Sequence, residues 1–411
     1  MVTMLDLEPI NDAKILVIGC GGAGGNAVNT MIESGEVEFV DFAVVNTDSQ
    51  ALSRNKASVR IQIGERTRRG LGCGAKPECG KAAAEDDEDK IKNVLDEHDM
   101  VFITAGFGGG TGTGSAAVVA KLARELGILT VAVVSKPFGF EGKRKMTMAE
   151  LWLDDLKDNV DSLIVISNQK IVETAGNVSF LEAFKLADDV LKSSVMGISE
   201  AIMRDGLVNI DFADVKTTLF ESGEALIGLG YGSGDNKVLD AVKAAISNPL
   251  VEGLSIEGAG AILINYTIGY DTTLDEVNAA TNFVTEQTAV DVNVIFGVIL
   301  DSNLENGVQV TVVATKFNDV TSEVEIIEET KEVIIPEIPK EEINIITEIK
   351  EEENKEVILE VMKDNDSGYG PTTITKKTDS KRNNRVRRIN STKRKINKVN
   401  KEDLDIPTFL R

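Results

Sequence analysis

A chain of 411 residues with 42% hydrophobic content can bury enough apolar surface for two packed domains, and its formal net charge of −23 argues against a globular body built to hold nucleic acid. His98 is the only histidine, which removes Ser-His-Asp and Cys-His catalysis unless it is itself the base, and its polar DEHD setting suggests a surface turn. With no leader pattern and no 18-residue uncharged apolar span, a soluble intracellular protein is expected; Cys20, Cys73 and Cys79 fit neither a disulfide framework nor paired metal spacing and read as small packing residues.

From Lys14 the run KILVIG reads as a strand ending in glycines, followed by helix-compatible sequence over 26–34 and a second strand in VEFVDFAVVN. IKNVLDEHD is helical, MVFITAG a buried strand, SAAVVAKLAREL an amphipathic helix and ILTVAVVS another strand; DSLIVIS, from Asp161, adds one more. Buried strands alternating with helices predict a parallel sheet covered on both faces. A long helical stretch over 181–205 follows, apolar at three- and four-residue spacing through Phe184, Val190, Leu191, Val195 and Ile198. After Gly206, the segments EALIGLG, KVLDAVKAAI, AGAILINYTI, LDEVNAATNFV, VNVIFGVIL and VQVTVVATKF predict a smaller α/β domain that closes near Phe317.

The first strand runs into GCGGAGGN (19–26), where glycines permit close backbone approach and the next helix offers unpaired N–H groups to an anion. A dinucleotide-binding fold would also put a Gly-rich turn here, with an acidic residue some 20 positions on that Asp48 could supply. The strand MVFITAG ends in FGGGTGTGS (107–115), again just before a helix. This second loop lacks the Lys of a Walker A motif, so backbone amides, the helix dipole and the hydroxyls of Thr111 and Thr113 must hold the phosphates. A dehydrogenase has no need of it.

GGGTGTG is the signature of the tubulin and FtsZ superfamily, and the chain resembles the FtsZ family over essentially all of residues 12–317. The resemblance implies a tubulin/FtsZ-like α/β fold: a flexible N-terminus (1–11), a parallel-sheet GTP-binding domain (12–180), a central connecting helix (181–205) and a smaller C-terminal α/β domain (206–317). It implies contacts to GTP or GDP from Gly21, Gly22, Ala23, Gly24, Gly25 and Asn26, and from Gly108, Gly109, Gly110, Thr111, Gly112, Thr113 and Gly114. QIGERTRRGLGCGAKPECG resembles the loop that responds to the γ-phosphate, with Gly74 and Ala75 nearest the nucleotide. PFGFEGKRKM resembles the stretch whose Glu, here Glu141, contacts the ribose, with Lys145 at a position where Arg is common; Lys is a point charge and lacks the planar bidentate grip.

In SNQK, Asn168 matches a base- or ribose-contacting Asn, while Ser167 and Gln169 depart from the usual PND. Phe184 would stack on guanine, with plain core packing as the competing reading, and Asp188 would accept from guanine N1–H and amino groups.

DGLVNIDFADVKTTL spaces Asn209, Asp211 and Asp214 at i, i+2 and i+5 across a loop entering a short helix, which Asp211 could also cap. NxDxxD resembles the loop that family members insert into the next subunit's nucleotide site, where the carboxylates orient the attacking water and Mg²⁺ neutralises phosphate oxygens. The resemblance thus implies a GTPase whose sites are shared along a head-to-tail homopolymer, the cytoskeletal ring of the division septum on the inner face of the membrane. A non-hydrolysing scaffold of the same family and an NAD-dependent oxidoreductase are the alternatives.

Residues 323–366 carry sixteen acids against five bases, and 376–401 twelve bases against one acid, so 318–400 reads as a charged tether without a core. The basic run could touch anionic lipid, nucleic acid or the acidic body, or simply be solvated linker. The chain ends in KEDLDIPTFLR (401–411), which resembles the family's partner-binding peptide through Leu404, Asp405, Ile406, Pro407, Phe409 and Leu410; FtsA-, SepF-, ZipA- or MinC-like proteins are the implied partners.

Overall fold

Six strands open the chain: β1 (Ile15–Cys20), β2 (Val40–Asn46), β3 (Val59–Gln62), β4 (Met100–Gly106), β5 (Leu129–Lys136) and β6 (Ser162–Ser167). They pair in parallel in the order β3-β2-β1-β4-β5-β6. Their apolar runs are buried on both faces, which is why they read as continuous rather than alternating. Ile15 and Val17 share a core with Leu191 and Val195 of the long helix, while Leu16 and Ile18 pack on the other face with Val119 and Leu122. The computed structural model describes residues 13–35, 40–176, 178–247, 255–288, 291–302, 304 and 306–317; the segments 1–11 and 318–411, with the expected partner-binding peptide, lie outside the described residues.

The second half does not build a separate sheet. In β7 (Gly223–Ser233), the first three residues pair in parallel with β6, and from Leu226 onward the strand pairs antiparallel with β10 (Gly307–Phe317). Then follow β8 (Ala259–Ile268) and β9 (Asn293–Leu300), so the described strands form one sheet of ten. The single strand β7 is long enough to serve both halves.

Three alternate glycines on one face of β7, Gly228, Gly230 and Gly232, meet the helix Lys237–Ser247 backbone to backbone: Cβ atoms there would strike the carbonyl oxygens of Ala245, Ala241 and Lys237. Gly230→Ala is therefore expected to cost about 3 kcal/mol, because a strand wedged between neighbours cannot withdraw. The check is a lower urea midpoint at unchanged slope; an unaltered midpoint would contradict the packing argument.

The long helix runs Phe180–Met203, opened by a capping box between Ser179 and Glu182. It stops short of the expected residue 205 because Leu207 donates its N–H to the Val298 carbonyl at 2.8 Å, drawing the chain off to β9. Asn265 Nδ2 donates to the Gly197 carbonyl at 3.1 Å, docking the helix on β8. His98 follows a turn as expected, yet its ring is largely covered, with Nε2 3.3 Å from Asp41.

Candidate functional site

Both glycine segments enter helices earlier than their composition suggests. One helix spans Gly21–Ser34, so Gly22, Ala23, Gly24, Gly25 and Asn26 are helical; the other, Thr111–Glu125, takes in Gly112, Thr113 and Gly114. Glycine disfavours a helix by about 1 kcal/mol per residue relative to Ala. Close packing explains the outcome: a Cβ on Gly24 would strike the Thr104 carbonyl, and one on Gly114 the Pro77 carbonyl. A Cβ on Gly21, where φ is +72°, would sit 2.5 Å from Gly112 N, so the two loops touch through their backbones.

Cys20 and Gly110 hold the N-cap positions of these helices, and neither makes a side-chain capping bond. Two sets of first-turn N–H groups therefore lack a side-chain acceptor at adjacent helix starts, the arrangement that suits an anion. Gly22 and Gly109, by contrast with Gly21 and Gly24, have no heavy atom within 4 Å of a built Cβ.

The space they face is a cavity of about 440 Å³. Of the residues expected from sequence, Gly22, Ala23, Gly74, residues 108–112, Glu141, Lys145, Asn168, Phe184 and Asp188 border it. Gly21, Gly24, Gly25, Asn26, Ala75, Thr113 and Gly114 are not on its wall. Gly21, Gly24 and Gly114 serve backbone packing, Asn26 and Ala75 are exposed, and Thr113 is buried with its hydroxyl unpartnered among the described residues.

Polar groups on the wall fall into satisfied and unsatisfied sets. Glu141 Oε2 accepts from Lys145 Nζ at 2.8 Å and Oε1 from Phe138 N at 3.0 Å, so this carboxylate is already held in place. The hydroxyls of Thr47 and Thr111 lie 2.6 Å apart beside the second helix start. Asn168 is buried with no partner for Oδ1 among the described residues, an acceptor open to a ligand donor. Burial, and secondarily the neighbouring Asp189, pushes the Asp188 carboxyl up to about 6. A group that loses water and gains no donor behaves this way.

Phe184 does part of each job assigned to it. Its ring meets Phe138 edge-on at 4.9 Å and Phe180 at 5.1 Å, yet it remains 39% exposed on the cavity side of the long helix.

Sequence reasoning missed Asn46, Leu71, Cys73 and Ser135 on the wall, and Thr47 behind it. Asn46 and Ser135 sit at the carboxyl ends of β2 and β5, where ligands of open α/β sheets bind, so topology alone could have pointed to them. Asp48 also lies on the wall, but its side chain accepts from Gln50 N and Ala51 N as the cap of Ser49–Arg54. That is not the free carboxylate a dinucleotide ribose would need.

Asn209, Asp211 and Asp214 are exposed, and none borders the cavity. Asn209 Oδ1 accepts from Gly206 N at 2.7 Å, closing the turn. Asp211 occupies the N-cap position of Phe212–Leu219 without a side-chain capping bond, which leaves its carboxylate uncommitted to the helix. From Asp188 the long helix runs fifteen residues further to Met203, a rise of about 22 Å. The loop thus leaves from the far end of the element whose near end borders the cavity.

The cysteine expectation needs correction: Cys73 and Cys79 are joined by a disulfide, with Cα atoms 5.6 Å apart. Their spacing in sequence gives no sign of it, since the intervening chain folds back through left-handed Gly74 before the helix Pro77–Glu85. Cys20 is buried and free, as a packing residue should be.

A parallel sheet with two uncapped helix starts facing one cavity defines a nucleotide site, and the family comparison gives its class: residues 14–176 match the tubulin/FtsZ family GTPase domain and residues 223–318 the FtsZ family C-terminal domain. The cell division protein FtsZ of Buchnera aphidicola subsp. Acyrthosiphon pisum is 44% identical over 98% of both chains, and that of Wigglesworthia glossinidia brevipalpis 49% identical over 75% of this chain and 80% of the relative. The empty FtsZ dimer of M. jannaschii superposes with a TM-score of 0.71 at 42% identity, covering 74% of this chain and 88% of that one. CetZ2 from Haloferax volcanii, solved as a GTPγS-bound protofilament, shares the fold at 21% identity with a TM-score of 0.62. The chain belongs to the FtsZ family, and it is a GTPase that binds GTP and GDP.

Proposed function

We propose that this protein is a cell-division GTPase that assembles head to tail and hydrolyses GTP at sites completed by the next subunit. The observation that carries the reading is that Asn209, Asp211 and Asp214 stand exposed, outside the cavity of their own chain. A heterologous contact that brings this loop to a neighbour's cavity propagates as an open filament, because each subunit offers one cavity and one loop. The relatives carry the name cell division protein, and solved relatives include a dimer and a protofilament.

In the assembled site the two helix starts and the Thr47–Thr111 hydroxyls hold phosphate, Asp188 accepts guanine N1–H and amino groups, and the unpaired Asn168 Oδ1 takes a further donor. Asp211 and Asp214 of the next subunit polarise the water that attacks the γ-phosphorus, with Asn209 shaping the turn; GDP and phosphate leave. Mg²⁺, when bound with the nucleotide, would supply charge neutralisation at the phosphates beside the two helix starts and the Thr47–Thr111 hydroxyls.

No helix among the described residues is long and apolar enough to cross a membrane. Ring formation at the inner face of the septal membrane would then rest on the terminal peptide 401–411 docking FtsA-, SepF-, ZipA- or MinC-like partners.

Specific GTPase activity is expected to be near zero below a threshold protein concentration and to rise above it, in step with light scattering. Turnover per molecule that stays constant with dilution would rule out a shared site.

A further inference from the structure

Residues 69–74, of which 71–74 line the cavity, form an unusual stretch: Arg69, Gly70, Gly72 and Gly74 all have positive φ, between 53° and 77°. Few side chains anchor such a segment, and its backbone is held instead by three small ties. Ser49 N–H and the Ser49 hydroxyl both donate to the Gly70 carbonyl, at 3.2 and 3.4 Å, and Gly72 N–H donates to the Thr47 carbonyl at 3.4 Å, the two backbone bonds making the bridge of Leu71 to Asp48. The fourth tie is covalent, the Cys73–Cys79 disulfide.

The two ends of that bond sit on very different supports. Cys79 belongs to the helix Pro77–Glu85, which lies directly against the second glycine helix: a Cβ on Gly80 would sit 2.5 Å from the Gly110 carbonyl, and Gly114 abuts the Pro77 carbonyl. Cys73 borders the cavity, and its Cβ would be 3.1 Å from a Cβ on Gly110. The bond therefore fastens a weakly held wall segment to a rigid pair of helices, at the position where the backbone of Gly74 meets Gly110. Cys79 is partly exposed and so open to thiol exchange, and the state of the pair can vary with the redox poise around it.

We infer that Cys73 and Cys79 are a thiol–disulfide switch that sets how well the cavity holds the triphosphate. Oxidised, the bond holds segment 70–76 against the second glycine loop in the shape that accepts phosphate. Reduced, the segment is left with its three weak ties and must be ordered by the nucleotide at the expense of affinity. A small dithiol is a sufficient reductant: its thiolate attacks the more accessible Cys79 sulfur, Cys73 leaves as a thiolate and takes up a proton, and the second thiol of the reagent closes its own ring disulfide, releasing Cys79 as a thiol. Two electrons and two protons pass to the protein. By linkage, GTP must favour the disulfide by the same factor by which the disulfide favours GTP.

This inference rests on the cavity being the GTP site, and the test separates the two. Full-length protein is equilibrated in glutathione buffers of graded ratio, with and without GTP, and the free thiols of Cys73 and Cys79 are counted by alkylation and mass spectrometry. GTP affinity is measured in parallel on the oxidised and dithiol-reduced forms. The expected result is about five- to tenfold tighter GTP binding when oxidised, with the oxidised fraction at a given glutathione ratio raised by GTP to a matching degree. The double variant Cys73→Ser, Cys79→Ser should bind like the reduced form in either buffer. Equal affinity of the two forms, or failure of the pair to oxidise in any glutathione buffer, overturns the switch alone. Absence of GTP binding in both forms overturns the cavity assignment and the switch with it.

Discussion

Asp211→Ala is expected to bind GTP with the affinity of the parent protein and to hydrolyse it at least about 100-fold more slowly, the scale for losing one preorganised electrostatic group at a reacting centre. Binding should survive because Asp211 is exposed and absent from the wall of its own chain's cavity. Asp214→Ala should behave alike. The decisive form of the experiment mixes two defective chains: Asp211→Ala, with a sound cavity and a dead loop, and Asp188→Ala, with a sound loop and a damaged cavity. Where the first chain's cavity meets the second chain's loop, a complete site forms, and equimolar mixtures should recover a clear fraction of parental turnover. If each chain's loop served its own cavity, the mixture would stay as inactive as its parts.

The second large effect belongs to Asp188. Two charge-assisted hydrogen bonds to guanine contribute about 3 kcal/mol, so Asp188→Ala should weaken GTP binding by about 100-fold and erase the preference over ATP. The carboxyl titrates near 6 in the free protein because it is buried, with Asp189 nearby. Guanine binding requires the ionised form, so GTP affinity should decline as pH falls through about 6, and Asp188→Asn should remove that decline.

Stability moves the other way. A carboxyl whose folded pKa lies above its unfolded value of 3.8 penalises the fold when ionised, so the nucleotide-free protein gains stability from this group as pH drops from about 6 towards 4. Nucleotide titrations and urea midpoints over pH 5 to 7.5 read the two trends separately; parallel trends would show that the shift has another source.

Much of this was legible in the chain itself. Parallel strands appear as unbroken apolar runs because both of their faces are covered, and β4, in MVFITAG, begins and ends where its composition does. The family resemblance assigned Phe184 and Asp188 to the nucleotide, and both border the cavity from one face of the long helix, being four residues apart. The Gly-rich segments likewise announce close backbone approach to something.

Tertiary structure alone decided which glycine faces ligand space and which faces carbonyl oxygen, because Gly22 and Gly24 are chemically identical and differ only in what lies opposite. Packing overrode propensity in starting both glycine helices early, and a β-bridge of Val208 to Val298 ended the long helix before its composition did. Local sequence has no record of partners that arrive from elsewhere in the chain: the turn that brings Cys73 to Cys79, the strand β7 that joins two sheets into one, and the burial that lifts Asp188 are all long-range events. Chemistry was therefore readable residue by residue, whereas the separation of cavity from loop depends on a rigid helix whose length has meaning only when both its ends are in place.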